Sequence, residues 1–308
     1  MIIDSFSRID GVSVIVPVFN REEFLGECIE SILSQDYTGL IEIIISDDGS
    51  IDKSLEIAHS YGNRVKVVAK PIGCISQGAS GARNRGIAVS KCRYIAFLDS
   101  DDYFLPGYLQ RMVNELKENE DIGYAYCRCK KESVDSNGIV TISDWTRKKL
   151  SRLDQEYHVL SRAFCINTNV IVFRAEVFNA VGVFNTELTN GEDTDLWLRV
   201  SEIYKGIFVD IFGSVYRVNH GNSQLTSANV ARMKECSAEI YTAAFSRAYA
   251  SINCDPLRML LIVRALLYGT YAMSGGRIGS IYRHSAVTLK LLVLFPVATV
   301  KFIKLHFA

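Results

Sequence analysis

Four short apolar runs, separated by segments with helical periodicity, most constrain how this chain can fold. Runs of this length, rich in branched residues, are typical of buried strands in a parallel sheet. The runs are residues 12–19, 41–46, 65–69 and 94–98, and the segments between them predict helices within 21–33, 52–61 and 78–90. Strands that alternate with helices predict an α/β fold with a doubly wound, mainly parallel, Rossmann-like sheet.

Polar side chains directly follow three of these predicted strands. Asn20 follows the first and is predicted to cap the next helix, Asp47 and Asp48 follow the second, and the segment Asp99-Ser-Asp-Asp102 follows the fourth. In open α/β sheets, ligands bind at the edge where the carboxyl ends of the strands meet. We therefore expect the three groups to converge on one ligand site.

The acidic segment 99–102 has two interpretations. Its three carboxylates, within four residues, repel one another unless a positive charge lies among them. Their hard oxygen atoms suit Mg²⁺ or Mn²⁺, ions that usually also bind substrate phosphates. The alternative is a solvated acidic loop that caps the helix after it.

The pattern is less regular from residue 121 onward. Strands are predicted at 123–127, 169–174 and 206–218, with a polar loop over 130–160. A helix begins at Glu192 and Asp193, whose carboxylates are favoured there by the helix dipole even without a function. His220 follows the last predicted strand and is either a site residue or a solvent-facing loop histidine.

Charge is unevenly distributed along the chain. The net charge is zero, but residues 231–308 carry ten Lys and Arg against three Asp and Glu. An acidic body with a basic tail argues against nucleic-acid binding, which needs a basic patch on the folded domain. The tail suits an anionic membrane surface, although its apolar segment 289–300 is shorter than the ~20 residues of a membrane span. The alternative is a helix packed on the rest of the chain or on another subunit.

The cysteines and the N-terminus indicate a reduced, cytoplasmic protein. None of the eight cysteines forms a Cys-x-x-Cys pair, so the sequence offers no zinc site. Residues 1–8 lack the basic region and the long apolar core of a signal peptide.

Five ordered motifs resemble those of glycosyltransferase family 2 over residues 11–220. They are Val-Ser-Val-Ile-Val-Pro-Val-Phe-Asn at 12–20, Ile-Ile-Ser-Asp-Asp-Gly-Ser at 44–50, Ala-Arg-Asn-Arg-Gly at 82–86, Phe-Leu-Asp-Ser-Asp-Asp at 97–102 and Glu-Asp-x-x-Leu-Trp-Leu-Arg at 192–199. The resemblance implies a GT-A fold and an inverting, metal-dependent enzyme that uses a nucleotide sugar. It divides the chain into a GT-A domain at 1–228, with a nucleotide-sugar half at about 11–120 and an acceptor half at about 121–228, and a basic, helical extension at 229–308.

The resemblance also assigns a donor site. The implied donor-binding residues are Pro17, Asn20, Glu22, Asp47, Asp48, Arg83, Asp99, Ser100 and Asp101. Pro17 and Asn20 would lie against the nucleoside, and one carboxylate of the Asp47-Asp48 pair, with Asp47 preferred, would accept a hydrogen bond from uracil. Arg83 would approach the base or the diphosphate.

The remaining implied roles are metal binding and base catalysis. Residues 99–101 correspond to the Asp-x-Asp motif, with Asp101 as a direct ligand of Mn²⁺ or Mg²⁺ and Asp99 facing the ribose or the metal. Asp193 would be the general base. His220 would be a further metal ligand, but the sequence Tyr-Arg-Val-Asn-His at 216–220 has one residue more than the Tyr-Arg-x-His of many relatives.

The implied reaction is inverting transfer of a hexose or N-acetylhexosamine from a UDP-sugar, or a dTDP-sugar, to a glycan or lipid-linked glycan. The expected setting is bacterial surface-polysaccharide synthesis, such as O-antigen or capsule, in the cytoplasm or on the inner face of the membrane, with an oligomer left open. The Gln-x-x-Arg-Trp motif of processive synthases is absent, so one or few sugars per encounter are expected. The competing interpretations are a nucleotidyltransferase, which would show a Gly-rich phosphate loop after the first strand, and a non-catalytic sugar-nucleotide-binding module.

Overall fold

The computed structural model of the chain describes residues 8–135, 137–145 and 167–218, together with seven positions between 236 and 247. His220, the apolar segment 289–300 and most of the predicted helical extension lie outside the described residues. Within the described part, no helix is long and apolar enough to cross a membrane.

The strands of the described residues form one sheet. They are β1 (Ile9–Val18), β2 (Leu40–Asp47), β3 (Val65–Ala69), β4 (Cys92–Phe97), β5 (Tyr103–Phe104), β6 (Ile122–Val134), β7 (Val140–Asp144), β8 (Ile171–Arg174) and β9 (Lys205–Val218). Their order is β3-β2-β1-β4-β8-β6-β9-β5, with β7 paired to β6. The first four strands of this order are parallel, whereas β8 is antiparallel to both β4 and β6. The α/β prediction with a GT-A-type, mainly parallel sheet is confirmed.

Helices cover both faces of the sheet. They are α1 (Leu25–Leu33), α2 (Ser54–Ser60), α3 (Gly78–Val89), α4 (Tyr108–Glu118), α5 (Val177–Val181) and α6 (Glu192–Ile203). Side chains alternate across β1, so that Val14 packs with residues of α1, α2 and α4, whereas Ile15 packs with residues of α3, α5 and α6. Burial on both faces explains why β1 is apolar at nearly every position.

Gly86 allows α3 to lie unusually close to β1. A Cβ atom at this position would lie 2.3 Å from Cγ2 of the fully buried Ile15, well inside van der Waals contact. Because Gly86 has no side chain, α3 can lie close to the sheet, and this position sets which partners Arg83 and Arg85 of the same helix can contact.

We expect the Gly86→Ala variant to be about 1–2 kcal/mol less stable than the wild type. Overpacking typically costs about 1–3 kcal/mol, and the better helix propensity of alanine offsets up to about 1 kcal/mol of it. Urea denaturation measures the difference. Gly26→Ala in α1 is the matched control, because its nearest neighbouring heavy atom, Tyr61 Oη, lies 3.9 Å from the new Cβ. A Gly86→Ala variant as stable as Gly26→Ala would contradict this packing argument.

Two local predictions are wrong. Asn20 does not cap α1, which begins at Leu25 after Phe24. The Asn20 Oδ1 atom instead accepts a hydrogen bond from Ile51 N–H at 2.9 Å. Asn20 has a left-handed backbone φ of 52°, which asparagine tolerates better than most residues, so the chain turns here before the helix starts.

The predicted polar loop over 130–160 is also wrong for its described part. Residues 130–134 continue β6, and 140–144 form β7, which pairs with them as a hairpin. Asp135 stabilises the turn by accepting hydrogen bonds from Asn137 N–H and Ile139 N–H, each at 2.8 Å. The charged residues of 130–132 hid the end of β6, and β7 is short and exposed along its whole length, so its alternation of Val140 and Ile142 with polar residues marks no buried face.

Candidate active site

The site lies where β1, β2 and β4 end. Strand β1 stays paired with β2 as far as Val18 and Asp47, but its ladder with β4 ends at Ile15 and Phe97. Ile15 O accepts a hydrogen bond from Leu98 N–H, so Pro17, two residues on, faces β4 with no N–H to donate. The ladder between β1 and β4 therefore ends at this point, and the acidic segment 99–102 follows directly after it.

Asp102 anchors the acidic segment from below. Its carboxylate is fully buried and accepts hydrogen bonds from Arg217 N–H at 2.8 Å and from Asn169 Nδ2 at 2.5 Å. Asn169 Oδ1 in turn accepts from Asp99 N–H at 2.9 Å. Burial, followed by the charges of Asp101 and Asp99, raises the pKa of the Asp102 carboxyl well above its usual range. Asp102 is thus turned toward the interior and holds the loop.

Asp99 and Asp101, unlike Asp102, stay partly exposed, and each is paired with an arginine. Arg83 Nη2 lies 2.6 Å from Asp99 Oδ1, and Arg21 Nε lies 3.3 Å from Asp101 Oδ2. These carboxylates are 29% and 19% exposed, so a bound ion could reach both. The buried Ser100 lies between them in sequence.

The carboxylate pair suits a hard divalent cation. Mg²⁺ is usually held by one or two carboxylates, and substrate phosphates and water complete its coordination. The arginines now at Asp99 and Asp101 supply positive charge at the same oxygen atoms. Across the described ranges, no three His, Cys, Asp or Glu side chains are grouped to hold an ion by themselves. The two carboxylates would therefore hold a cation together with water or substrate oxygens.

Arg83 joins the acidic segment to α6. Its guanidinium, only 5% exposed, also donates to Glu192 Oε1 at 3.2 Å, across 109 positions of sequence. Burial alone would lower the pKa of Arg83, but the charges of Asp99 and Glu192 outweigh it and raise the pKa. One arginine on α3 therefore holds the two acidic groups that the sequence placed far apart.

Asp193 stands next to this ion pair at the start of α6. Burial, and then the negative charge of Glu192, raises the pKa of the Asp193 carboxyl to about 6. Thr194 N–H donates to Asp193 Oδ1 at 2.6 Å and, together with the positive charge of Arg83, limits the rise. A carboxylate with a pKa near the working pH is suited to act as a general base.

The predicted nucleoside residues surround the loop that follows β2. Oδ2 of the buried Asp47 accepts hydrogen bonds from Gly49 N–H at 2.9 Å and from Ser50 N–H at 3.1 Å, and its Oδ1 lies 3.2 Å from the same Ser50 N–H. Glu22 Oε2 accepts from Lys53 N–H at 2.9 Å, near the start of α2. Asn20, as described, holds Ile51. These side chains give the loop its shape.

Asp48 faces the opposite way, toward α3. Its carboxylate accepts hydrogen bonds from Ser76 Oγ, from Gly78 N–H at 3.0 Å and from Arg85 Nη2 at 2.8 Å. Asp47 and Asp48, adjacent in sequence, are therefore engaged with different elements at the same edge of the sheet.

Sequence reasoning missed Arg217 as a site residue. Its side chain donates to Glu132 at 3.0 Å, to Glu27 at 2.7 Å and to the backbone carbonyl of Asp101 at 3.2 Å. Its Cζ also lies 4.6 Å from the centroid of the Tyr103 ring. The Tyr-Arg pair at 216–217 was the available signal, but its partners come from α1 and from the polar part of β6 that was predicted as loop.

Comparison with known proteins agrees with this architecture. The model of Glycosyl transferase family 2 matches residues 13–178. An uncharacterized glycosyltransferase from Rickettsia typhi is 32% identical over 198 residues, which cover 63% of this chain and 60% of the relative. A chondroitin synthase from Pasteurella multocida is 29% identical over 223 residues, 70% of this chain and 21% of the synthase.

A solved structure with a similar fold is TarS 1–349 from S. aureus in complex with UDP-GlcNAc. It superposes with a TM-score of 0.64 at 20% identity, covering 85% of this chain and 73% of that one. The family model alone spans more than half of the 308 residues. With the fold and the order of its motifs, this match establishes that the chain belongs to glycosyltransferase family 2.

Proposed function

We propose that this protein is an inverting glycosyltransferase that moves a sugar from a nucleotide-sugar donor to an acceptor hydroxyl. The observation that carries the proposal is the bridge made by Arg83, which bonds Asp99 at 2.6 Å and Glu192 at 3.2 Å. Arg83 thereby connects Asp99, in the proposed cation–diphosphate site, with Glu192, which is adjacent in sequence to the proposed base Asp193.

In this proposal the donor binds along the edge formed by β1, β2 and β4. Pro17, Asn20 and Asp47 form the nucleoside side, and Asp99 and Asp101 hold Mn²⁺ or Mg²⁺ together with the diphosphate. The ion, when bound, supplies positive charge that stabilises the departing diphosphate. Glu22, Asp48 and Ser100 support the surrounding loops.

Asp193 carries the proton transfer. Its carboxylate takes the proton of the acceptor hydroxyl while the hydroxyl oxygen attacks the anomeric carbon, on the face opposite the diphosphate. The new C–O bond forms as the bond to the diphosphate oxygen breaks, so the anomeric configuration is inverted in one displacement. The raised pKa of Asp193 supports this role, because a base near neutrality is deprotonated at working pH and still accepts a proton.

A UDP-sugar donor and a glycan acceptor are the finer parts of the proposal. UDP-GlcNAc was bound by TarS, and the similar chondroitin synthase is named for a polysaccharide. A hexose or N-acetylhexosamine is the sugar proposed, and a free or lipid-linked glycan of a bacterial surface polysaccharide is the acceptor. A dTDP-sugar is the alternative donor.

Calorimetric titration with UDP tests the donor site. We expect the wild type to bind UDP in the presence of Mn²⁺. The Asp101→Ala variant should bind it about tenfold more weakly or worse, because the metal ion loses a charged carboxylate ligand. Titrations with dTDP identify the base, and release of sugar from UDP-sugars identifies the donor. A folded wild type that binds neither nucleotide would overturn the proposed donor site. Binding without any transfer or hydrolysis would favour a non-catalytic module, and formation of a nucleotide-linked product would favour a nucleotidyltransferase.

We also propose that the basic segment 231–308 brings the enzyme to an anionic membrane surface, which suits a lipid-linked acceptor. Deleting residues 277–308 is then expected to reduce sedimentation with anionic vesicles by several-fold, because each basic residue near the surface can contribute about 1 kcal/mol to membrane binding. Equal sedimentation of the two proteins, or equal binding to uncharged vesicles, would contradict this location.

A further inference from the structure

We propose that Arg21 changes partner when the donor binds: it neutralises Asp101 before a cation is present, and it binds the donor diphosphate once Asp101 has become a metal ligand. This inference rests on the proposed function and assigns a donor contact to a residue that the motifs do not include. It makes Arg21 a binding residue for the diphosphate.

The position of Arg21 is the first step. It follows directly after Asn20, at the end of β1, and its Nε lies 3.3 Å from Asp101 Oδ2. Its Nη1 donates to the backbone carbonyls of Asn20 at 2.9 Å and Phe19 at 3.3 Å. The guanidinium therefore lies at the donor edge of the sheet, against the outward-facing carboxylate of the acidic segment.

The anchoring of Arg21 is the second step. Its backbone N–H donates to Ser54 Oγ at 2.8 Å, which ties its main chain to the start of α2. Its side chain is 12% exposed, so the guanidinium is already largely withdrawn from water. A rotation of the side chain alone can carry it from one anionic partner to another nearby.

The balance of charge is the third step. A divalent cation on Asp101 repels the guanidinium that previously neutralised the same carboxylate. The diphosphate brought by the donor is anionic, and arginine binds phosphate oxygens through paired N–H groups. Arg83 differs in this respect, because its ion pair with Glu192 does not involve the metal-facing acids and can persist when a cation binds at Asp99.

If Arg21 changes partner in this way, the Arg21→Ala substitution should strengthen Mn²⁺ binding and weaken UDP binding. Without donor, Arg21 competes with a cation for Asp101, so the Arg21→Ala variant is expected to bind Mn²⁺ about threefold more tightly, the scale of a part-exposed ion pair. At saturating Mn²⁺, the same variant is expected to bind UDP about tenfold more weakly, because a charged hydrogen bond to the diphosphate is lost. A merely structural role would weaken both.

The test uses the full chain in three forms besides the wild type. Mn²⁺ binding is followed by electron paramagnetic resonance of the free ion, and UDP binding at saturating Mn²⁺ by calorimetry. Arg21→Lys, which keeps the charge, should recover part of the UDP affinity. Arg111→Ala, at an exposed position of α4, is the matched control and should behave as the wild type.

The outcomes separate this inference from the proposed function. Tighter Mn²⁺ binding with weaker UDP binding in Arg21→Ala supports the exchange. Weaker binding of both, or unchanged UDP binding, overturns it while wild-type UDP binding leaves the donor site intact. A wild type that binds no UDP in the presence of Mn²⁺ overturns the donor site and the exchange together.

Discussion

Replacing Asp193 by asparagine is expected to lower the rate of sugar transfer by about 10²–10⁴-fold, the usual contribution of a positioned general base. The amide keeps the shape of the side chain, and its oxygen can still accept the hydrogen bond from Thr194 N–H, but it cannot take a proton from the acceptor. UDP binding should be little changed, because the substitution removes base catalysis and no contact with the nucleotide. Single-turnover transfer assays, with UDP titration on the same samples, measure the two quantities.

Loss of activity through unfolding can be distinguished from loss of the base. The folded-state pKa of Asp193, about 6, lies above the unfolded value of about 3.9, so the ionised carboxyl opposes folding at pH 7 and ceases to do so as the pH falls through 6 toward 4. Asp193→Asn should therefore be at least as stable as the wild type at pH 7 in urea denaturation. A stable variant that transfers sugar at more than a tenth of the wild-type rate would refute the base assignment.

The wild-type pH profile provides a second reading of the same group. Transfer measured as kcat/KM should fall as the pH decreases through about 6, because Asp193 becomes protonated. Glu192→Gln is the matched control, since it removes the neighbouring negative charge that raises the pKa. In Glu192→Gln, the fall of kcat/KM on the acid side of the profile (the acid limb) should move to lower pH, and most of the activity should be retained.

Replacing Arg83 by alanine is expected to lower the free energy of unfolding by about 2–3 kcal/mol. Removing one partner of a buried ion pair typically costs about 3–5 kcal/mol, and the partial exposure of Asp99 and Glu192 reduces the penalty. Urea denaturation at pH 7 measures the loss. Arg111→Ala, an exposed arginine, should leave the free energy of unfolding within about 0.5 kcal/mol of the wild type.

The same substitution should shift the pH profile of transfer. The positive charge of Arg83 lowers the pKa of Asp193, so its removal raises that pKa and moves the acid limb upward from about 6. Arg83→Lys keeps one positive charge and should give an intermediate limb. If Arg83→Ala folds, is active and has its acid limb at the same pH as the wild type, then the charge of Arg83 does not influence the pKa of the titrating base.

The parallel half of the sheet could be read from local sequence, and so could the positions of three later strands, because the predictions at 123–127, 169–174 and 206–218 correspond to β6, β8 and β9. Runs such as 12–18 and 94–97 are apolar because both faces of these strands are covered, which leaves a strong local signal. The hairpin of β7 with the last part of β6 was missed, because β7 is short and exposed throughout and residues 130–132 of β6 are charged, so neither has a buried apolar face. Local sequence did not predict how these strands pair: β8 runs antiparallel between β4 and β6, which are distant from it in sequence.

Local sequence was enough to predict the fold class, the edge of the sheet that carries Asn20, Asp47 and Asp99, and the first helical turn that carries Asp193. These follow from local apolar periodicity and from the fact that parallel strands present their carboxyl ends together. The pairing of side chains at that edge could be seen only in the folded chain: Arg83 lies between Asp99 and Glu192, Arg217 contacts the backbone of Asp101, and Arg21 pairs with the Asp101 carboxylate. Arg83 and Asp99 are 16 residues apart and the other partners are 80 to 116 residues apart, and such pairs leave no periodic trace, because ion pairing depends on where folded side chains end and not on their spacing along the chain.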